Sequence, residues 1–182
     1  GTVDRDGCIR PDTTREALAE LKPAFKQDGA VTAGTSSPLT DGAAAVLVCT
    51  EDYAAKNGLA PLARVRSAAV AGCRPEVMGI GPVLATRKAL ERAGLKLDEI
   101  DVIEMNEAFA SQVLACAKEM PFDFDRMNLD GGAIALGHPL GATGARITGK
   151  AAQILQREKG RYALSTQCIG GGQGIATILE AV

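Results

Sequence analysis

Histidine occurs once in this chain of 182 residues, as His138, and the five cysteines Cys8, Cys49, Cys73, Cys116 and Cys168 include no Cys-x-x-Cys pair. One histidine and scattered thiols cannot assemble the ligand sets of a zinc centre. An odd number of widely spaced cysteines offers no disulfide framework either, which fits a reducing compartment. Charge of one sign is also missing: 20 basic and 22 acidic residues leave a net charge of -2. Without a basic surface, nucleic acid and anionic membranes are excluded as partners, and a small molecule is the expected substrate. Long apolar runs are absent. The stretch Gly42 to Cys49 falls far short of the roughly 20 residues that span a bilayer, and no signal-peptide pattern opens the chain. These absences describe a soluble, cytoplasmic protein.

Its length is enough to bury a hydrophobic core, as one domain or one domain plus a remnant. Near the start, Thr13 with Glu16 makes a capping-box pattern for a short helix that runs to Leu21, and Pro23 stops it. Val31 to Thr40 reads as a loop of small residues, Ala44 to Cys49 as a buried strand, and Thr50 as the cap of a helix ending at Asn57-Gly58. Pro61 marks the expected boundary.

Beyond it a regular alternation predicts strand Arg64 to Ala71, helix Pro82 to Ala93 stopped by Gly94, strand Asp101 to Met105 and helix Ala108 to Lys118. A short strand from Ala133 to Leu136, helix Ala142 to Glu158, and strands Tyr162 to Gln167 and Ile175 to Ala181 follow. Phe109, Val113, Cys116 and Ala117 share one helix face; Ile147, Ala151, Ile154 and Leu155 share another. The expected fold is α/β, a mixed, mainly parallel five-stranded sheet with helices on both faces. Ligands of such sheets bind beyond the strand ends.

Three stretches sit there, the last two glycine-bearing: Asn106-Glu107-Ala108-Phe109, the run from Gly131 through His138 to Arg146, and Cys168-Ile169-Gly170-Gly171-Gly172. Glycine lets backbone approach a ligand closely, and histidine titrates near neutrality. Each candidate has a structural reading beside the chemical one. Cys168 is either a thiol that moves a proton or a buried core cysteine. Asn106 is either a hydrogen-bond donor to a reacting oxygen or a helix cap. His138 is held in a rigid turn by Gly137 and Pro139, which favours a directed chemical role. The segment Gly141 to Gly144 is similar to a phosphate-binding loop but lacks its Gly-Lys-Ser/Thr ending.

Together with Asp41-Gly42-Ala43-Ala44-Ala45, these stretches resemble, in order and spacing, the motifs of the thiolase family's C-terminal half. The wording around Glu104-Met105-Asn106-Glu107 and Thr32 to Ser37 is most similar to bacterial degradative 3-ketoacyl-CoA thiolases. The resemblance implies half of a thiolase-like fold. Residues 1–25 would be the tail of a loop domain, 26–61 the last strand and helix of the N-terminal domain, and 62–182 the C-terminal domain. It implies reversible Claisen chemistry on acyl-CoA and CoA, with coenzyme A as a substrate and no permanently bound cofactor. Cys168 would be the base, and His138 would activate an acyl-carrying cysteine and donate to the thioester oxygen. Asn106 would hold a water of the same oxyanion hole, the Gly170 N–H would serve a second one, and Ser37 would contact the pantetheine arm. Glu107 would orient neighbouring groups, its alternative being a carboxylate on a helix dipole. The acyl-carrying cysteine matches none of the five here. The expected partner is therefore the missing N-terminal half, in a homo-oligomer. The alternative is a catalytically inactive folding and oligomerisation domain.

Overall fold

The alternation beyond Leu62 becomes a four-stranded sheet in the computed structural model, which describes residues 1–2 and 4–182. Val3, within the expected loop-domain tail, lies outside the described residues. Strands β1 (Arg64–Gly72), β2 (Val102–Met105), β3 (Tyr162–Ile169) and β4 (Gln173–Glu180) lie in the order β1-β4-β3-β2. β2 and β3 are parallel, whereas β4 is antiparallel to both β3 and β1. The sheet is thus mostly antiparallel in its pairings, not mainly parallel. Three strands do point one way, but the hairpin through the tight turn at Gly170-Gly171-Gly172 inserts β4 between β3 and β1.

The fifth expected strand is absent for a local reason. Ala133–Leu136 forms one turn of helix, α5, entered from Gly132 and ended by Gly137 at a φ of 96°. A run of four small and apolar residues has no alternation with which to declare a strand, and the glycines at either end suit a helical turn equally well.

Helices cover both faces. The regions α3 (Gly81–Ala93) and α4 (Ala110–Glu119) pack with Ile103, Met105, Leu164 and Ile178 on one side. On the other, α6 (Thr143–Arg157) buries Ala151, Ile154 and Leu155 against Val102, Ala163 and Leu179. Adjacent strand residues fall in opposite cores, as the two-residue period of a strand requires. The i, i+4, i+7, i+8 pattern read for α6 is the buried face found, and each fully buried Ile or Leu contributes about 1.5–3 kcal/mol.

The first third of the chain meets the later part at isolated bridges, Ser36 with Phe109 and Leu39 with His138. Helix α1 (Arg15–Ala19) is capped by Thr14, whose hydroxyl accepts from the Ala17 N–H at 3.1 Å, rather than by Thr13. Helix α2 (Glu51–Lys56) is capped by Thr50 as its sequence indicates. The expected buried strand Ala44 to Cys49 is neither buried nor a strand: every residue from 41 to 50 is exposed and outside regular structure. A strand exists only where a neighbour takes its N–H and C=O groups, and none does so here among the described residues.

Candidate active site

The parallel pair β2 and β3 ends on the side where the three motif stretches meet. Asn106 lies one residue past the paired end of β2, and its backbone N–H donates to the Thr166 carbonyl at 3.0 Å. Two residues past Thr166 on the neighbouring strand is Cys168. This short register brings two candidates from opposite sides of α6 to one sheet edge. His138 enters from the loop between α5 and α6.

Asn106 is fully buried, and its Nδ2 lies 3.3 Å from His138 Nε2. On the far side of the ring, His138 Nδ1 lies 2.7 Å from the Thr143 hydroxyl, which itself donates to the Pro139 carbonyl at 3.0 Å. The Asn106 NH2 facing Nε2 can only donate, so the ring proton sits on Nδ1 and the Thr143 hydroxyl accepts from Nδ1–H. Nε2 then carries the free lone pair and accepts from Asn106. Burial, followed by the positive charge of Arg146, holds the His138 pKa below its ordinary value. The ring is therefore a neutral base with its lone pair on Nε2.

Two contacts lock the loop in place. The His138 backbone N–H donates to Thr40 Oγ1 at 3.2 Å, and Thr40 in turn donates to the Pro38 carbonyl at 2.7 Å. Glu107 holds the other end: Oε1 accepts from Asn128 Nδ2 at 2.8 Å and Oε2 from the Ile134 N–H at 3.1 Å. It precedes α4 and instead caps α5, occupying the space that a side chain at residue 132 would fill. Asn128 completes the brace with bonds of 2.9 Å to both the N–H and the carbonyl of Met105.

Cys168 is buried, and burial pushes its thiol pKa up; its own backbone N–H opposes the rise and Cys73 adds to it. Among the described residues no hydrogen bond joins Cys168 to His138 or Asn106. Gly170 is exposed, and a Cβ placed on it would meet no atom. Ser37 lies half-buried nearby, its hydroxyl donating to the Ala108 carbonyl at 3.1 Å. Met105 belongs to the core, and Met78 is half-buried.

The structure thus brings Asn106 and His138 into contact, sets Cys168 on the adjoining strand end, and ties Ser37 to the segment after Asn106. Thr143, Thr40 and Asn128 escape a reading of the sequence. Only Thr143 leaves a signal: a hydroxyl at the start of a helix, five residues after the sole histidine.

Residues 59–181 match the family described as "Thiolase, C-terminal domain", and residues 1–52 match "Thiolase, N-terminal domain". The chain is 56% identical over 181 residues to the 3-ketoacyl-CoA thiolase of Enterobacter sp. (strain 638), covering 97% of this chain and 47% of that protein. The crystal structure of human mitochondrial 3-ketoacyl-CoA thiolase in complex with CoA matches with a TM-score of 0.92 and 45% identity, over 99% of this chain and 46% of the other. The Bacillus anthracis acetyl-CoA acetyltransferase matches with a TM-score of 0.95 and 46% identity, over 98% and 45% respectively. The chain spans about half the length of the curated relatives it matches.

Proposed function

This chain belongs to the thiolase family, and on that premise we propose that it is part of an acyl-CoA thiolase that cleaves 3-ketoacyl-CoA by thiolysis or, in reverse, condenses acetyl-CoA. Residues 62–182 are its C-terminal domain, 26–61 the end of the N-terminal domain with helix α2 and no strand at 44–49, and 1–25 the tail of a loop domain. The acyl-carrying cysteine comes from the complementary N-terminal segment.

The observation that supports this reading most is the neutral His138 beside the buried Asn106, at the strand end that also bears Cys168. In thiolysis the acyl-carrying thiol must lose its proton before it attacks the 3-keto carbon. Nε2 of His138 is the acceptor for that proton, since Nδ1 is already protonated and engaged with Thr143. Once protonated, Nε2–H turns from acceptor to donor and serves the thioester oxygen of the departing acetyl-CoA. Asn106 holds a water at the same oxygen; an amide donates without repelling the forming enolate.

Breaking the Cα–Cβ bond leaves a carbanion that needs a proton. Cys168, kept as a thiol by burial, supplies it, and in condensation its thiolate takes that proton back. The Gly170 N–H stabilises the oxyanion on the acyl group, where the open surface at its Cα leaves room for the chain. Ser37 contacts the pantetheine arm of CoA from the loop beside Ala108. No cofactor is held permanently in this scheme, and coenzyme A is a substrate. Its working form is a cytoplasmic homo-oligomer.

Acetoacetyl-CoA thiolysis tests this reading, measured for the chain alone and after co-expression with a thiolase N-terminal half. Turnover only in the mixture supports it, whereas no turnover in either sinks it. A second reading, an inactive folding and oligomerisation domain, draws on the exposed Leu47 and Val48, at 73% and 75% accessibility. It gains if the mixture assembles but does not turn over.

A further inference from the structure

Behind the His138–Asn106 pair lies a set of buried polar atoms that the proposed chemistry does not use. Glu104 on β2 is 1% exposed, and its Oε1 has no hydrogen-bond partner. It shares a strand face with Asn106, whose own Oδ1 is buried and unpartnered, and that face meets α6. Two more atoms on the same side of the sheet are in the same condition: Arg146 Nε on α6 and Gln167 Oε1 on β3. Between α6 and strands β3 and β4 runs a cleft of about 180 Å³, lined by Gly144, Thr148, Ser165, Gln167 and Thr177. Buried polar atoms left without partners cost about 1–3 kcal/mol each, so four around one helix end call for something to satisfy them. Ordered water is the usual partner of such atoms, and of the four only Gln167 borders the cleft.

We propose that Glu104 is a positioning residue for the His138–Asn106 pair, acting through ordered water shared with Arg146 and Gln167 beneath the first turns of α6. The unpartnered atoms on this face support that role. Asn106 presents Nδ2 to His138, which leaves its buried Oδ1 without a partner. A water that donates to Oδ1 and to the Glu104 carboxylate fixes the amide in that orientation. The positive charge of Arg146 lowers the pKa of both Glu104 and His138. The other charged groups facing Glu104 are Lys150 on α6, Asp130 before α5 and Glu107 after β2. Burial brings Glu104 itself to a pKa of about 7, so its charge changes where the histidine works.

This inference rests on reading His138 and Asn106 as the reacting pair, but its test reads the ring directly and needs no turnover. The single histidine makes the imidazole ¹⁵N resonances of the chain unambiguous. In the wild type they are expected to show a second inflection near neutral pH that tracks the ¹³C signal of the Glu104 carboxyl. In Glu104→Gln the second inflection disappears while the His138 midpoint stays close to that of the wild type, because a carboxyl with a pKa of about 7 is already mostly protonated where a ring held below its ordinary value titrates. In Arg146→Gln the midpoint moves to higher pH. A conservative Glu104→Asp restores part of the coupling, which a purely structural role would not. A wild-type titration with one inflection, or a folded Glu104→Gln variant that keeps the second inflection and the wild-type tautomer, overturns the proposal. Since the wild-type curve alone decides between these outcomes, a variant that fails to fold leaves the test intact. Thiolysis can fail while the coupling is present, and the reverse, so the two readings fall separately.

Discussion

Thr143 accepts the Nδ1 proton of His138 at 2.7 Å while donating its own proton to the Pro139 carbonyl, and this one hydroxyl decides which ring nitrogen is basic. The helix start that presents Thr143 is therefore part of the chemistry as well as of the packing.

Thr143→Val keeps the shape but removes the acceptor, so the Nδ1–H tautomer loses its anchor. Groups that orient a working histidine in this way are worth about 10–100-fold when removed. Turnover of the reconstituted enzyme is expected to fall by that factor, with the ¹⁵N tautomer signature of His138 shifting in the chain. Unchanged kinetics and tautomer would show that the ring is held from elsewhere.

Cys168→Ala and His138→Ala each remove a proton-transfer group. Such groups contribute about 10²–10⁴-fold, and the reconstituted thiolysis rate is expected to drop within that range. A variant with near-normal kcat disproves the role assigned to its residue.

Glu107→Ala strips two acceptors from buried donors, Asn128 Nδ2 and the Ile134 N–H, and uncaps α5. The expected loss is about 1–3 kcal/mol in urea denaturation, together with weaker amide protection at Ile134. Protection equal to the wild type would mean that the contact carries no load.

Glu104 makes stability depend on pH in an unusual direction. Its folded pKa, about 7, lies above the ordinary 4.5, so the native state holds a proton that the unfolded state has released. Its contribution is intact below pH 4.5, falls as pH rises through the window to about 7, and is lost above it. The difference amounts to about 3 kcal/mol. Glu104→Gln is expected to flatten this part of the stability curve and to be the more stable protein at pH 8. Parallel curves for the two would contradict a buried, protonated carboxyl.

Leu47→Lys with Val48→Lys should reduce self-association of the chain in sedimentation velocity. Both side chains are exposed, so the folded chain should change by no more than about 0.5 kcal/mol. Persistent association at the wild-type level would place the contact surface elsewhere.

Some of this was legible in the chain because it is local. The face of α6 repeats every three to four residues, Gly94 stops α3 with a φ of 69°, and Thr50 caps α2. Each depends on residues within a turn or two of one another. The motif stretches were legible for a related reason: a cysteine before three glycines and a histidine between glycine and proline restrict what the backbone there can do. The segments 44–49 and 133–136 misled for the opposite reason. Both are short and apolar, and a short apolar run takes its state from whatever pairs with it.

By its sequence alone this chain determined its longer helices, most of its turns, its family resemblance and the identity of Asn106, His138 and Cys168 as candidates. Tertiary structure alone decided that β4 lies between β1 and β3, that Thr143 and Asn106 grip opposite sides of one ring, that Glu107 caps a helix far along the chain, and that Glu104 is buried beside Arg146. The reason is range: capping and periodicity are written in neighbouring residues, whereas pairing, tautomer and desolvation depend on groups tens of residues apart that only the folded chain brings together.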